Sequence, residues 1–246
     1  MSHHCVDWIP AEIFNKLSIL WTLEFGYIEY KVPTVWFEHG IPDTSIIRPE
    51  QWHKDVHYFC NNSCTYEFLK EKGLKAYHMG SIFLDRTIPH KRNPKLLVYV
   101  PQHFRFEDHN MPEKWNHPPK TREELEALCK EHDCEDFITT VTEDTNRDLY
   151  KDLNIIKSNR MDSYGINHFN KCRYLYENAK VIYTDVKSTF DITAEQHGIK
   201  ILGRENQRHT SPYIEATGNK KIDVLIDGKS CTRIINKLEQ IIEGYE

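Results

Sequence analysis

From residue 96 to its end, the chain alternates short apolar runs with capped amphipathic segments, and this order leaves little choice but a parallel sheet. The runs at 96–100, 137–141, 181–184, 199–202 and 222–226 are rich in Val, Ile and Tyr and read as strands. Several are apolar at successive positions, as expected when helices cover both faces of a sheet. Between them, Thr121-Arg-Glu-Glu124 has the form of a capping box ahead of Leu125, Leu128 and Cys129. Ser188-Thr-Phe-Asp191 repeats that form and runs to Gly198, which suits the left-handed turn that ends a helix. A last helix, starting near Ser230, places Ile234, Ile235, Leu238, Ile241 and Ile242 on one stripe. Strands joined by crossover helices in this way give an α/β fold.

The earlier part is less complete. Runs at 32–37, 56–60 and 74–78 read as strands, and Ser63 caps a short helix carrying Tyr66, Leu69 and Lys70 that stops at Gly73. Residues 82–94, with Pro89 and Pro94 and a basic centre, read as a connector between two lobes. The proline-rich stretch 110–120 reads as a loop. The expected domains are therefore a reduced lobe at 1–90 and a second lobe at 91–246 built around 181–202.

Composition excludes several classes. A chain of 246 residues with 39% apolar and 28% charged side chains can bury a core and is not disordered. The net charge of −5 argues against a surface coated for nucleic acid. Lys91-Arg92 with Lys95, and Arg204 with Arg208, are modest basic clusters in proline-flanked or polar loops, where solvated charge is usual. Apolar runs such as 96–101 fall far short of the roughly 20 residues a membrane crossing needs. The first residues lack the basic start and apolar run of a secretory signal, so a soluble cytoplasmic protein without a membrane span is expected. The 7 cysteines include Cys60-x3-Cys64 and Cys129-x4-Cys134, but neither lies beside a second pair at zinc spacing. They read as reduced structural thiols. His3-His4-Cys5 at the terminus is weak evidence for a metal, and no metal is expected.

Ligands in open parallel sheets sit beyond the carboxyl ends of strands, near helix N-termini. The segment Val181-Ile-Tyr-Thr-Asp185-Val-Lys187-Ser188-Thr189 fits this, with a strand ending at Thr184-Asp185 and a helix opening at Ser188. Its free amides, the Ser188 and Thr189 hydroxyls and Lys187 together suit a phosphate. Without a glycine-rich loop it is neither a P-loop nor a dinucleotide fingerprint. The alternative is that Ser188 simply caps the helix, and a cap accounts for Asp191 in full. Trp36-Phe-Glu38-His39-Gly40-Ile-Pro42 follows another strand, and its histidine is either part of a structural turn or a group placed to accept a proton. Arg105, soon after the strand 96–100, is either a surface charge or a diphosphate ligand. Gly80 and Ser81 form a permissive turn after 74–78.

Taken in order, His39-Gly40, Tyr77-His-Met-Gly80-Ser81, Leu96-Leu-Val-Tyr-Val-Pro101 and Tyr176-Glu-Asn-Ala179-Lys-Val-Ile-Tyr-Thr-Asp185-Val-Lys-Ser188-Thr189 resemble a family. They are similar to two-lobed GT-B glycosyltransferases, above all the CDP-glycerol glycerophosphotransferases and their capsule-polysaccharide relatives. The UDP-N-acetylglucosamine 2-epimerases share the general arrangement. The resemblance spans about residues 33–203 and implies two Rossmann-like lobes with parallel sheets, the N-terminal one abbreviated. It implies that Ser188, Thr189 and Arg105 bind a donor diphosphate, which Lys187 stands beside by its own position, and that Asp185, Gly40, Gly80 and Ser81 shape the donor site. It implies that His39 is the catalytic base. The activity implied is transfer of a sugar or glycerol phosphate from a nucleotide-diphosphate donor, with no separate cofactor, to a hydroxyl acceptor. The sequence departs from the family at Lys187, at Gln102-His103 and at Val141-Thr-Glu143-Asp144, where a His-Pro pair is absent. Only 38 residues precede His39. A sugar-nucleotide epimerase and a nucleotide-binding module without catalysis are the alternatives, and a modified DNA base, as in phage enzymes, is a disfavoured acceptor.

Overall fold

The computed structural model describes residues 9–20, 32–38, 52–101, 120–142, 155–158, 166–184, 189–203 and 224–245. The chain divides into two units, one formed by residues 1–85 with 209–246 and the other by 86–208. Both are α/β with all-parallel sheets, as the strand–helix order requires.

The first unit holds β1 (Ser18–Leu20), β2 (Thr34–Phe37), β3 (Val56–Cys60) and β4 (Lys75–His78), side by side in chain order. One face carries Val35, Phe37, Phe59 and Met79, packed against Ile13 of α1 (Ala11–Phe14) and Ile82 of α3 (Ile82–Asp85). Ile234, Leu238, Ile241 and Ile242 of the final helix, α7 (Ser230–Glu243), complete that core. Trp36 and Tyr58 alternate with these residues and pair at 5.7 Å. Helix α2 (Ser63–Glu71) joins β3 to β4 and ends at Gly73, whose φ of +74° is the expected left-handed turn. Its N-cap is Asn62 rather than Ser63: the Asn62 side chain accepts the Thr65 N–H at 2.9 Å.

The second unit centres on β5 (Leu96–Val100), buried along its whole length. Its sheet also holds β6 (Asp136–Thr142), β7 (Ile155–Ser158), β8 (Ala179–Thr184) and β9 (Lys200–Leu202), in the order β7-β6-β5-β8-β9. Helix α4 (Arg122–Glu131) covers one face through Leu125 and Cys129, over Leu97, Tyr99, Phe137, Val181 and Tyr183. Helices α5 (Ile166–Asn178) and α6 (Thr189–Gln196) cover the other through Cys172, Leu175, Tyr176 and Ala194. The Thr121–Glu124 capping box is present in both directions, at 3.2 and 2.7 Å. Gly198 takes the expected left-handed φ, +73°.

Two expectations need correction, and a third gains detail. Residues 209–246 belong with the first unit, not with 91–208, because the apolar stripe of α7 fills the core under β2 and β3. Of the run at 222–226, the described residues 224–226 are in no strand of the second sheet; Val224 makes one antiparallel bridge to Asn62, and Leu225 N–H donates to the Asn61 carbonyl at 3.2 Å. The stretch 82–94, read as a connector between two lobes, does contain the boundary between the units, after Asp85, but it is structured rather than loose. Residues 82–85 form α3, and beyond them the His90 and Asn93 amides donate to Glu177, at 3.0 Å to its carboxylate and 2.7 Å to its carbonyl. No helix among the described residues is long and apolar enough to cross a membrane.

Candidate functional site

The order β7-β6-β5-β8-β9 reverses direction once, between β5 and β8. From β5 the chain goes to α4 on one face, and from β8 to α6 on the other. The ends of two neighbouring strands whose connections part in this way form the crevice where open α/β sheets take their ligands. Its floor is fixed by the register Tyr99↔Tyr183 and Val100↔Thr184. Thr184 and Val100 are buried. Gly203, just past β9, closes one side: with φ +79°, a Cβ there would lie 2.6 Å from the Thr184 carbonyl oxygen.

The penultimate residues of β5 and β8 are aromatic and buried in the core under α4. Tyr99 and Tyr183 meet edge to face at 6.0 Å, and the Lys120 ammonium lies 5.0 Å from the centre of the Tyr183 ring. The Lys120 backbone N–H donates to the Tyr99 hydroxyl at 3.0 Å. Burial works to lower the Lys120 pKa, but the bond to Glu124 and the neighbouring Tyr183 outweigh it, and the net shift is upward. On the opposite face, Tyr176 donates to the Phe190 carbonyl at 2.9 Å and lies against the Phe190 ring, tilted by 30° with centroids 4.7 Å apart, which anchors the first turn of α6. Asp191 in that turn is buried at 1% exposure.

At the carboxyl edge of the first unit, two helix N-termini are satisfied by carboxylates from distant parts of the chain. Glu38, just past β2, accepts the Asn61 N–H at 2.7 Å and the Asn62 side-chain amide at 2.8 Å, and also takes the Thr65 hydroxyl. It thereby occupies the start of α2, where an anion would otherwise find donors. Asp85 does the same for α7, accepting from Asp227, Gly228 and Ser230 N–H at 3.1, 3.0 and 2.8 Å. Arg233 reinforces the junction by donating to the Met79 carbonyl at 3.0 Å and to Asp227 at 2.8 Å, which holds the Asp227 carboxyl below its ordinary range. A pocket lined by Glu38, Asn61, Gly80, Ser81 and Ile234 lies here, and its described walls enclose about 30 Å³. That is room for a water molecule or two, against several hundred Å³ for typical organic ligands.

Of the residues singled out from sequence, Gly80 and Ser81 are described, and both line this pocket. Gly80 has φ +75°, and a Cβ there would lie 2.5 Å from the Leu225 carbonyl, so docking of the C-terminal segment accounts for the glycine. Ser81 caps α3 through a 3.4 Å bond from the Leu84 N–H. The backbone of Thr189 is placed as the first residue of α6. His39, Gly40, Arg105, Asp185, Lys187 and Ser188 lie outside the described residues; in sequence, 185–188 come directly after β8 and Arg105 comes soon after β5.

The basic stretch at 91–95 is largely committed to structure. Arg92 donates to the Ala179 carbonyl at 2.8 Å and the His197 carbonyl at 3.2 Å, and Lys95 pairs with Glu135 at 3.6 Å. Six cysteines are described, and all are free thiols. Among the described residues no three His, Cys, Asp or Glu side chains gather as a metal site would need.

No protein-family model and no curated protein sequence matches the chain. Two solved structures of the wall teichoic acid polymerase TagF are similar in chain course. One, of a histidine-to-alanine variant, has a TM-score of 0.48 and 12% identity, covering 93% of this chain and 73% of that one. The other has a TM-score of 0.44 and 12% identity, covering 88% and 69%. Likeness at this level assigns the protein neither a family nor an activity.

Proposed function

We propose that the protein is a GT-B-like transferase that moves a sugar or glycerol phosphate from a nucleotide-diphosphate donor to a hydroxyl group. One observation carries this reading: the segment 181–202, which has the composition of a phosphate-binding strand–loop–helix, falls at the single reversal of the second sheet. The donor diphosphate then lies over the ends of β5 and β8. The amides opening α6, the Ser188 and Thr189 hydroxyls, Lys187 and Arg105 hold it, and Asp185 orients the loop. His39, in the turn with Gly40, takes the acceptor proton as the oxygen attacks. The bond to the nucleotide breaks, and the nucleotide leaves with the electron pair. Charge grows on the departing phosphate during this step, and fixed amide dipoles with Lys and Arg stabilise it where it appears. Gly40, Gly80 and Ser81 shape the donor site.

Calorimetry with UDP-, CDP-, GDP- and ADP-linked donors tests the reading. At least one donor is expected to bind, and Ser188→Ala with Thr189→Ala to weaken it by about 10- to 100-fold. Failure of every donor to bind, or full binding by the double variant, overturns the donor site. His39→Ala is expected to keep donor binding and lose turnover.

A further inference from the structure

We propose that Cys129 and Cys134 are a paired dithiol that closes reversibly into a disulfide across the last turn of α4. The pair lies at the amino ends of β5 and β6, where the Glu135 N–H donates to the Lys95 carbonyl at 2.7 Å. The crevice is at the carboxyl ends of the sheet, so the proposal stands whether or not the donor reading does.

The two cysteines are brought together by the way α4 ends. His132 is its C-cap, and Asp133 follows with φ +53°, in the left-handed region. The chain then doubles back: the Cys134 N–H donates to the Cys129 carbonyl at 2.8 Å, and the Asp133 N–H to the Lys130 carbonyl at 3.4 Å. These nested bonds make a Schellman turn, in which the side chains three residues before the cap and two after it commonly meet. Both are cysteine here. From β8, the Lys180 ammonium holds the turn by donating to the carbonyl and the carboxylate of Asp133, each at 2.6 Å. The 2.8 Å bond also limits the span of a cross-link. Standard bond lengths on either side of it keep the two Cα atoms within about 6.7 Å. Disulfides join residues whose Cα atoms are about 4.4–6.8 Å apart. Cys129 belongs to the core cluster under α4 and Cys134 packs against that same cluster, so both side chains turn to one side of the loop.

Cys129 is the buried member of the pair and Cys134 the more accessible one. The Cys134 thiol donates only weakly, to the His132 carbonyl at 3.8 Å, a bond that cross-linking gives up at little cost. With oxidised glutathione as the oxidant, the Cys134 thiolate attacks one sulfur of the glutathione disulfide. That S–S bond breaks, and one glutathione leaves with the electron pair. Cys129 then loses its proton to solvent, and its sulfur displaces the second glutathione from Cys134. The pair is oxidised by two electrons, and the oxidant becomes two thiols. Burial raises the Cys129 thiol to about 11, with Cys134, Asp136 and Glu126 adding to it. Burial raises Cys134 as well, against the charge of Lys180 and with that of Asp133. Exchange is therefore slow at neutral pH and quickens as the pH rises.

The test equilibrates the full chain in mildly alkaline glutathione buffers of increasing oxidation, once natively and once in concentrated urea, followed by acid quenching and digestion. Trypsin cuts after Lys130, between the two cysteines, so the cross-link joins peptides 123–130 and 131–147 and is identified by mass. The native chain is expected to form this link at a glutathione ratio at least about 10-fold more reducing than the unfolded chain requires. By linkage, the oxidised chain must then melt at a higher temperature than the reduced one. Cys129→Ser removes the resolving thiol and should stop at a glutathione adduct on Cys134, with no gain in melting temperature. Absence of the 129–134 link from the native chain overturns the proposal. So does a link formed no more readily than in urea, an oxidised chain that melts lower, or a Cys129→Ser chain without the adduct.

Discussion

The two units end their strands in opposite chemical ways. At the carboxyl edge of the first, the helix starts are filled by the protein's own acids, Glu38 on α2 and Asp85 on α7, and the pocket between them is very small. At the corresponding edge of the second, the sheet reverses direction and a lysine is held over its tyrosines. A helix start that already carries a carboxylate has neither donors nor favourable potential to offer an anion. The contrast teaches that parallel topology alone does not make a phosphate site. What matters is which helix starts still have donors to offer, and those of α2 and α7 do not.

The comparison can be broken most forcefully at α7. If this helix completes the first unit only, Leu238→Ala should cost that unit about 2–5 kcal/mol and leave the second untouched. Four of the five tryptophans, Trp8, Trp21, Trp36 and Trp52, lie in the first unit, so a urea melt followed by indole fluorescence reads it selectively. Equal loss in both units would show that the division is wrong. Gly80→Ala tests the same junction at its tightest point. A left-handed φ and a backbone oxygen in the way should cost about 1–3 kcal/mol, in the same melt.

A smaller effect depends on pH. His57 sits half-buried on β3, with its Nδ1 3.1 Å from the Tyr77 hydroxyl and its ring stacked on Tyr77. Burial, with the charges of Lys75 and Lys237, lowers its pKa from 6.5 to about 4 against the opposing pull of Asp55. The unfolded chain thus takes up the proton first as pH falls. The stabilisation is complete above pH 6.5 and is lost as the pH drops toward 4. Allowing for solvent around the ring, this amounts to about 1–2 kcal/mol, which His57→Gln should remove from the pH dependence of the melt. The smallest effect belongs to the exposed Arg122–Glu126 pair on α4, at 3.4 Å. Its removal should change stability by less than about 0.5 kcal/mol, as measured by thermal melting at low and high salt.

The sequence was most informative where structure is local. The capping box at Thr121, the left-handed glycines and the stripe of α7 are signals carried within one or two helical turns. Helix α5 was not anticipated, because its Asn, His, Phe, Tyr and Cys residues are indifferent helix formers. Phe169, Cys172, Leu175 and Tyr176 are buried along it, so packing holds it in place. The caps supplied by Glu38 and Asp85 act across 23–27 and 142–145 residues, beyond any local pattern. The same distance hid the true partner of residues 222–226, whose apolar character reads equally well as a strand of either sheet. Of the candidate site, the strand–loop–helix at 181–202 was legible in composition. Its position at the reversal became clear only from the strand order.

The most direct test of where the anion binds is a crystal structure with a bound nucleoside diphosphate. The phosphates are predicted over the ends of β5 and β8, within hydrogen-bond reach of the amides that open α6. Phosphates seated instead beside Glu38 and Ser81 on the first unit would contradict the account.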